Sequence, residues 1–98
     1  MFELFFTKES ELQKESLKND PSNKKRYKAV IKALKYLESN PKHNSLNSTL
    51  YSSLKGPNGE KVFHSYAQQH TPGAYRIFWY YGPGRGIITV LNIVPHPD

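Results

Sequence analysis

The stretch AYRIFWYYGPGRGIITVLNIV, residues 74–94, decides the fold of this chain. Two segments rich in β-branched and aromatic residues flank a Gly-Pro-Gly connection, a pattern typical of an antiparallel hairpin. In the second segment apolar side chains fall on both faces, which indicates a strand in the interior of a sheet. The two alternating sets are Ile88, Val90 and Val94 on one face and Ile87, Leu91 and Ile93 on the other.

One residue of this hairpin, Arg76, places a permanent positive charge inside the apolar run, and the stretch contains no acidic residue. On an alternating strand Arg76 shares a face with Phe78 and Tyr80. The residues alone leave two interpretations open. In the first, the role of Arg76 is structural: it pairs with a carboxylate such as Glu3 or Glu60, or its guanidinium lies in solvent at an edge of the sheet. In the second, Arg76 binds an anionic ligand.

The residues before the hairpin predict two helices. Ser10, with Gln13 three residues later, forms a capping-box pattern for a first helix over 10–19. A second helix over 22–40 ends at an Asn-Pro pair that stops helical structure. Its apolar residues recur at helical period and form one stripe, which consists of Tyr27, Val30, Ile31, Leu34 and Leu37.

Two further segments, 2–6 and 61–69, are strand-like. Residues 41–59 are rich in Asn, Ser, Pro and Gly and predict a long connection, held to the core by Leu46, Leu50 and Leu54. The predicted fold is α+β, with the order β-α-α-β-β-β. Two N-terminal helices pack on a mostly antiparallel four-stranded sheet, in one domain spanning residues 1–98.

Composition limits the function classes. The 98 residues include no cysteine, which excludes disulfides, thiolate metal sites and a cysteine nucleophile. No segment approaches the length of a membrane span, so we expect a soluble cytoplasmic protein. The net charge of +6 is uneven, because residues 21–61 hold eight Lys and one Arg against two Glu. Such a concentration indicates either a polyanionic partner or a solvated helix face.

The motif Tyr-Arg-Ile-Phe-Trp-Tyr (75–80) on the penultimate strand, together with the order of elements, resembles the RelE/ParE superfamily of toxin–antitoxin toxins. The resemblance includes the opening strand, the basic helix 22–40 that ends in Asn-Pro, the segment Leu-Lys-Gly-Pro-Asn-Gly (54–59), and the closing hairpin. It covers nearly the whole chain.

The resemblance implies a small basic toxin that an acidic antitoxin protein neutralises. It favours the RelE-like branch, whose members cleave mRNA on the ribosome without a metal or other cofactor. Two alternatives stay open: a ParE-type inhibitor of DNA gyrase, and a non-toxic binding protein with the same fold. The fold alone does not choose among them.

Metal-free RNA cleavage requires a base for the 2′-hydroxyl, a cation for the phosphorane and an acid for the leaving 5′-oxygen. Arg76 matches the arginine that the family places at the scissile phosphate, and its planar guanidinium suits two phosphate oxygens. Histidine titrates close to neutral pH, which suits proton transfer. The predicted catalytic residues are Arg76, His96, Lys55, Lys61 and His64, with Glu60 as a further candidate base.

The remaining site prediction concerns RNA contacts. Exposed lysines on the second helix suit phosphates, and aromatic rings beside Arg76 suit bases. The predicted RNA-binding residues are Lys28, Lys32, Lys35, Phe78 and Tyr80. The chain departs from the family pattern after the last strand, where VPHPD carries neither the second arginine nor the tyrosine that family ribonucleases often have.

Overall fold

Two helices pack against one face of a five-stranded sheet in the computed structural model, which describes residues 1–95. The strand order is β1-β5-β4-β3-β2, with β1 parallel to β5 and the other neighbours antiparallel. The α+β class and the mostly antiparallel sheet are confirmed. The elements are β1 (Glu3–Phe6), α1 (Lys8–Asn19), α2 (Lys24–Ser39), β2 (Thr49–Lys55), β3 (Lys61–Tyr66), β4 (Tyr75–Tyr81) and β5 (Ile87–Pro95).

The fifth strand is β2, which lies inside the segment predicted as a connection. It forms an edge of the sheet and pairs only with β3. Because its side chains are mostly exposed, its sequence lacks the apolar alternation that marks a half-buried strand. Leu46 is buried as predicted, but Leu50 and Leu54 are 51% and 39% exposed. The prediction that they hold a loop to the core was therefore wrong.

The hairpin of β4 and β5 is the interior of the sheet, as predicted, since β4 is the central strand and β5 lies between β4 and β1. Its register shifts at one point: Phe78 lies opposite Asn92, but Trp79 lies opposite Val90. Leu91 is thus an extra residue, and the bulge reverses the faces that follow it. Ile93 consequently joins the core under the helices and Val94 turns to the other face. The strict alternation predicted for β5 was wrong beyond Leu91.

The N-terminus of α1 covers the edge of β5 where β1 ends. The Ser10 hydroxyl donates to the carbonyl of Val90 at 2.9 Å, and the Ile93 amide donates to Gln13 Oε1 at 2.7 Å. The Val90 carbonyl also accepts from the Thr7 amide at 3.1 Å, whereas the Ile93 amide lies beyond the last residue paired with β1 and has its partner in Gln13. Thr7, not Ser10, caps the helix, because its hydroxyl accepts from the Ser10 amide. The predicted capping box of Ser10 and Gln13 was wrong.

Helix α2 presents its predicted stripe to the sheet. Val30, Leu34 and Leu37 are buried in one core with Ile77 and Trp79 of β4. Tyr27 and Ile31 are partly buried at its margin, and the lysines are exposed. The helix begins slightly later than predicted, because residues 21–23 form a single 3-10 turn capped by Asp20.

A chain of hydrogen bonds fixes the connection before β2 to the core. The indole of Trp79 donates to the hydroxyl of Ser65 at 2.8 Å, and both side chains are buried. Ser48 donates to the carbonyl of Pro41, so Ser65 must be the donor in the 2.7 Å contact between the two hydroxyls. Each buried polar group in this series of hydrogen bonds, from Trp79 to Pro41, therefore has a partner.

Replacing Ser65 with alanine removes the acceptor of the Trp79 indole. We expect Ser65→Ala to lower the free energy of unfolding by about 1–3 kcal/mol, because a buried donor is left unsatisfied. Urea denaturation measures the change. Ser52→Ala, on the exposed part of β2, is the control and should be neutral. Equal midpoints for Ser65→Ala and the wild type would contradict this role.

Candidate anion-binding site on the open face of the sheet

The sheet face opposite the helices, here called the open face, carries its own small apolar cluster. Val62, Phe78 and Tyr80 are buried there. Tyr51 of the edge strand lies over β3, with its ring centroid 5.2 Å from that of His64 and 5.0 Å from that of Phe78. No helix among residues 1–95 covers this face. The open face is therefore largely aromatic, and Tyr51 borders it on the side of the edge strand β2.

Arg76 is the buried charge of the open face. It lies directly opposite Tyr66, and its guanidinium carbon is 3.6 Å from the centroid of the Tyr66 ring. Its Nη1 lies 3.2 Å from His64 Nδ1. The side chain is only 8% exposed, and the buried Nε has no hydrogen-bond partner among residues 1–95. A cation stacked on a ring in this way is stabilised by the ring's quadrupole.

No carboxylate among the described residues neutralises Arg76. The single ion pair found in residues 1–95 joins Lys14 and Glu11 on α1. Glu60 accepts a hydrogen bond from the Asn58 amide in the turn between β2 and β3. The two carboxylates considered from the sequence, Glu3 and Glu60, thus form no ion pair with Arg76. A buried charge without a counter-ion is costly for folding.

Arg76 lines a hollow of about 380 Å³ together with Tyr66 and residues 69–74. The hollow gives a ligand access to an otherwise buried cation. A phosphate or carboxylate placed there would supply the counter-charge that the described residues lack, and would accept from several guanidinium N–H groups. The geometry therefore suits an anion.

His64 is hydrogen-bonded to this cation. Arginine can only donate hydrogen bonds, so His64 Nδ1 accepts from Nη1 and the ring proton lies on Nε2. His64 also stacks on Phe78, with 5.5 Å between ring centroids. Of the five predicted catalytic residues, the structure brings Arg76 and His64 together.

Phe78 and Tyr80 lie on the same face as Arg76, as strand alternation predicts. At about 3.3 Å per residue, Phe78 is roughly 7 Å along the strand from Arg76 and Tyr80 roughly 13 Å. The distance from Arg76 to Phe78 is thus about the length of one nucleotide, and Tyr80 lies further along the same face.

The predicted lysines lie elsewhere. Lys55 and Lys61 are directly opposite each other at the turn of the β2–β3 hairpin. They share the face of Phe63 and Ser65, and Lys61 is roughly 17 Å along β3 from Tyr66. Both are exposed, and the structure does not assemble them with Arg76. The lysines of α2, which are Lys28, Lys32 and Lys35, belong to the helix layer on the opposite side of the sheet.

The two remaining catalytic candidates are Glu60 and His96. The pKa of the Glu60 carboxyl is lowered, chiefly by the hydrogen bond from the Asn58 amide, which makes it a poorer base. His96 lies outside the described residues. The strand that precedes it ends at Pro95, opposite Tyr75 and therefore beside Arg76.

The sequence prediction omitted two aromatic residues that shape the site, Tyr66 and Tyr51. The alternation of Val62, His64 and Tyr66 on β3 carried a signal for Tyr66, since it places the tyrosine on the face of His64. Tyr51 gave no such signal, because its strand was not recognised.

No group of three or more His, Cys, Asp or Glu side chains among residues 1–95 is arranged to hold a metal ion. No helix within the same range is both long and apolar enough to cross a membrane.

Neither a protein-family model nor a curated protein sequence gives a significant match to the chain. Solved structures do match. A YoeB/ParE toxin from Agrobacterium tumefaciens superposes with a TM-score of 0.70 over 99% of this chain and 100% of its own, at 12% identity. The chain has the RelE/ParE toxin fold.

Two other solved structures share this fold. The YoeB dimer from Staphylococcus aureus gives a TM-score of 0.68 at 12% identity, with 98% of each chain covered. The archaeal RelE–RelB complex from Pyrococcus horikoshii gives 0.64 at 16% identity, with 96% of this chain and 93% of that chain covered. The predicted resemblance to the RelE/ParE superfamily is confirmed at the level of the fold.

Replacing Arg76 with methionine tests whether the buried charge serves folding or binding. Methionine keeps much of the side-chain volume and removes a charge that has no counter-ion among residues 1–95. We expect Arg76→Met to leave the free energy of unfolding unchanged or to raise it by about 1–4 kcal/mol. Added inorganic phosphate should raise the melting temperature of the wild type but not of this variant.

Urea denaturation and thermal melts measure both effects. The exposed Arg85, in the turn between β4 and β5, provides the control Arg85→Met, which should keep the response to phosphate. A loss of more than about 2 kcal/mol in Arg76→Met would show that Arg76 is mainly a structural residue.

Proposed function

We propose that this protein is the toxin of a type II toxin–antitoxin system and that it inhibits translation by cleaving mRNA without a metal. The observation that carries the proposal is Arg76, a buried guanidinium on the open face with no carboxylate partner among residues 1–95. The neighbouring histidine and aromatic rings are what an RNA phosphate and its bases would contact.

Arg76 would bind the scissile phosphate. Its guanidinium can donate to two phosphate oxygens at once, and its charge offsets the negative charge that grows on the phosphorane. The ring of Tyr66 below it and the hydrogen bond to His64 hold the guanidinium in place before substrate arrives. Such preorganisation favours the transition state, because little reorganisation is needed during the reaction.

His64 would act as the base. A phosphate bound at Nη1 would replace the present hydrogen bond from Nη1 to Nδ1. Nδ1 could then accept the proton of the 2′-hydroxyl as this oxygen attacks the phosphorus. The 5′-oxygen leaves with a proton, and we assign its donation to His96, the residue after Pro95 in the sequence. Pro95 itself lies opposite Tyr75, the neighbour of Arg76 in the chain. The products are a 2′,3′-cyclic phosphate and a free 5′-hydroxyl.

The partners follow from the same proposal. One structural relative is a RelE–RelB complex, and the net charge of +6 suits an acidic antitoxin. The exposed lysines of α2 face away from the open face, so they are placed to contact phosphates of the ribosome while mRNA occupies the open face. The protein would act in the cytoplasm.

Arg76→Ala and Arg76→Lys test the mechanism in cells and with purified components. We expect either change to reduce mRNA cleavage by at least about a hundredfold, because the planar, bidentate donor is lost. Primer extension on a test mRNA after induced expression locates and quantifies the cuts. The exposed arginine change Arg85→Ala should leave cleavage intact.

Three results of this experiment would each argue against the proposal in a different way. Cleavage that persists in Arg76→Ala would reject the role of this residue. A DNA-damage response with intact mRNA would indicate the gyrase-inhibitor alternative, and normal growth under strong expression of the wild type would indicate a non-toxic binding protein.

A further inference from the structure

A second hollow on the open face is lined by residues of β2, β4 and β5. It has a volume of about 240 Å³, an apolar lining from Tyr51, Leu54, Phe78 and Val94, and two polar side chains, Ser53 and Asn92. The Ser53 hydroxyl can donate or accept, so it does not distinguish a carbonyl from an amino group. The Tyr51 and Phe78 rings meet edge to face, with an interplanar angle of 79°. Aromatic walls of this kind bind flat rings.

The side-chain amide of Asn92 has a fixed orientation. The Ile93 amide can only donate, so Gln13 presents Oε1 to it, at 2.7 Å. Gln13 Nε2 is then left to donate to Asn92 Oδ1, at 3.2 Å. Asn92 must therefore direct its Nδ2 away from Gln13, and no residue among 1–95 accepts a hydrogen bond from it. Asn92 Nδ2 is thus the group of this side chain that is left to donate to a ligand, whereas Oδ1 already accepts from Gln13.

The hollow is also close enough to Arg76 to serve the same nucleotide. Val94, which lines the hollow, lies directly opposite Arg76, and Asn92 lies directly opposite Phe78. Phe78 is roughly 7 Å along β4 from Arg76. A nucleotide whose phosphate contacts Arg76 can therefore place its base beside Phe78.

We propose that this hollow is a base-binding subsite and that Asn92 makes it select keto bases, uracil and guanine, over amino bases, cytosine and adenine. The inference rests on the proposed function, since it concerns the RNA bound at Arg76. Asparagine often reads bases with both its donor and its acceptor. Here Oδ1 already accepts from Gln13, so the Nδ2 donor favours the carbonyl oxygen at C4 of uracil or C6 of guanine over the amino group that cytosine or adenine carries at that position.

The test uses short DNA oligonucleotides, which lack the 2′-hydroxyl and cannot be cleaved by this route. Pentamers of deoxyuridine and deoxycytidine form one matched pair, and pentamers of deoxyinosine and deoxyadenosine form the other. Within each pair the bases differ chiefly in a keto or an amino group. Fluorescence anisotropy gives the dissociation constants. We expect the wild type to bind the keto member of each pair about tenfold more tightly.

The decisive variant is Asn92→Asp. Its carboxylate still accepts from Gln13 but presents an acceptor to the hollow in place of a donor, so the order of affinities within each pair should reverse. Asn44→Asp, on the helix side of the molecule, adds the same charge and should keep the wild-type order. Arg76→Met should weaken binding of all four oligonucleotides without changing the order.

The outcomes separate the two proposals. Binding that depends on Arg76 but shows equal affinities within each pair, or the same order in Asn92→Asp as in the wild type, would overturn the subsite and leave the phosphate site in place. No binding of any oligonucleotide by the wild type would overturn the subsite and the proposed ribonuclease together.

Discussion

The stacking of one guanidinium on one tyrosine ring organises the open face of this protein. Arg76 is held by Tyr66 and His64 from the neighbouring strand, and no carboxylate among residues 1–95 balances its charge. A core selected only for stability would favour an apolar residue at this position, because an uncompensated buried charge opposes folding. We therefore propose that the charge is kept for a ligand at the expense of stability.

The two faces of the sheet differ in the residues that they carry. The helix side holds the larger core and the hydrogen-bond chain from Trp79 to Pro41, and α1 covers the edge of β5 beyond the end of β1. This support leaves β4 and β5 free to present Arg76, Phe78 and Asn92 on the open face. The bulge at Leu91 contributes directly, because it places Val94 opposite Arg76 and Asn92 opposite Phe78.

Much of the fold, but less of the site, could be predicted from the sequence. The helical stripe of α2 and the alternation of β4, which places Ile77 and Trp79 on the face opposite to that of Arg76 and Phe78, depend on local periodicity, and both were predicted correctly. The edge strand β2 was missed because exposed strands need no apolar alternation, and the bulge at Leu91 was missed because one inserted residue has no local signature. The grouping of Arg76 with His64 and Tyr66, and the separation of Lys55 and Lys61 from them, depend on the register between strands, which single-strand patterns do not specify.

The most direct test of the central claim observes the Arg76 side chain itself. With ¹⁵N-labelled arginine, NMR resolves the Nε–H signal of each guanidinium during titration with a 2′-deoxy-substituted RNA that cannot be cleaved. If Arg76 binds an RNA phosphate, we expect a large shift of the Arg76 Nε–H signal at saturation and little change for the exposed Arg85. An unchanged Arg76 signal, with binding detected only through the lysines of α2, would contradict it.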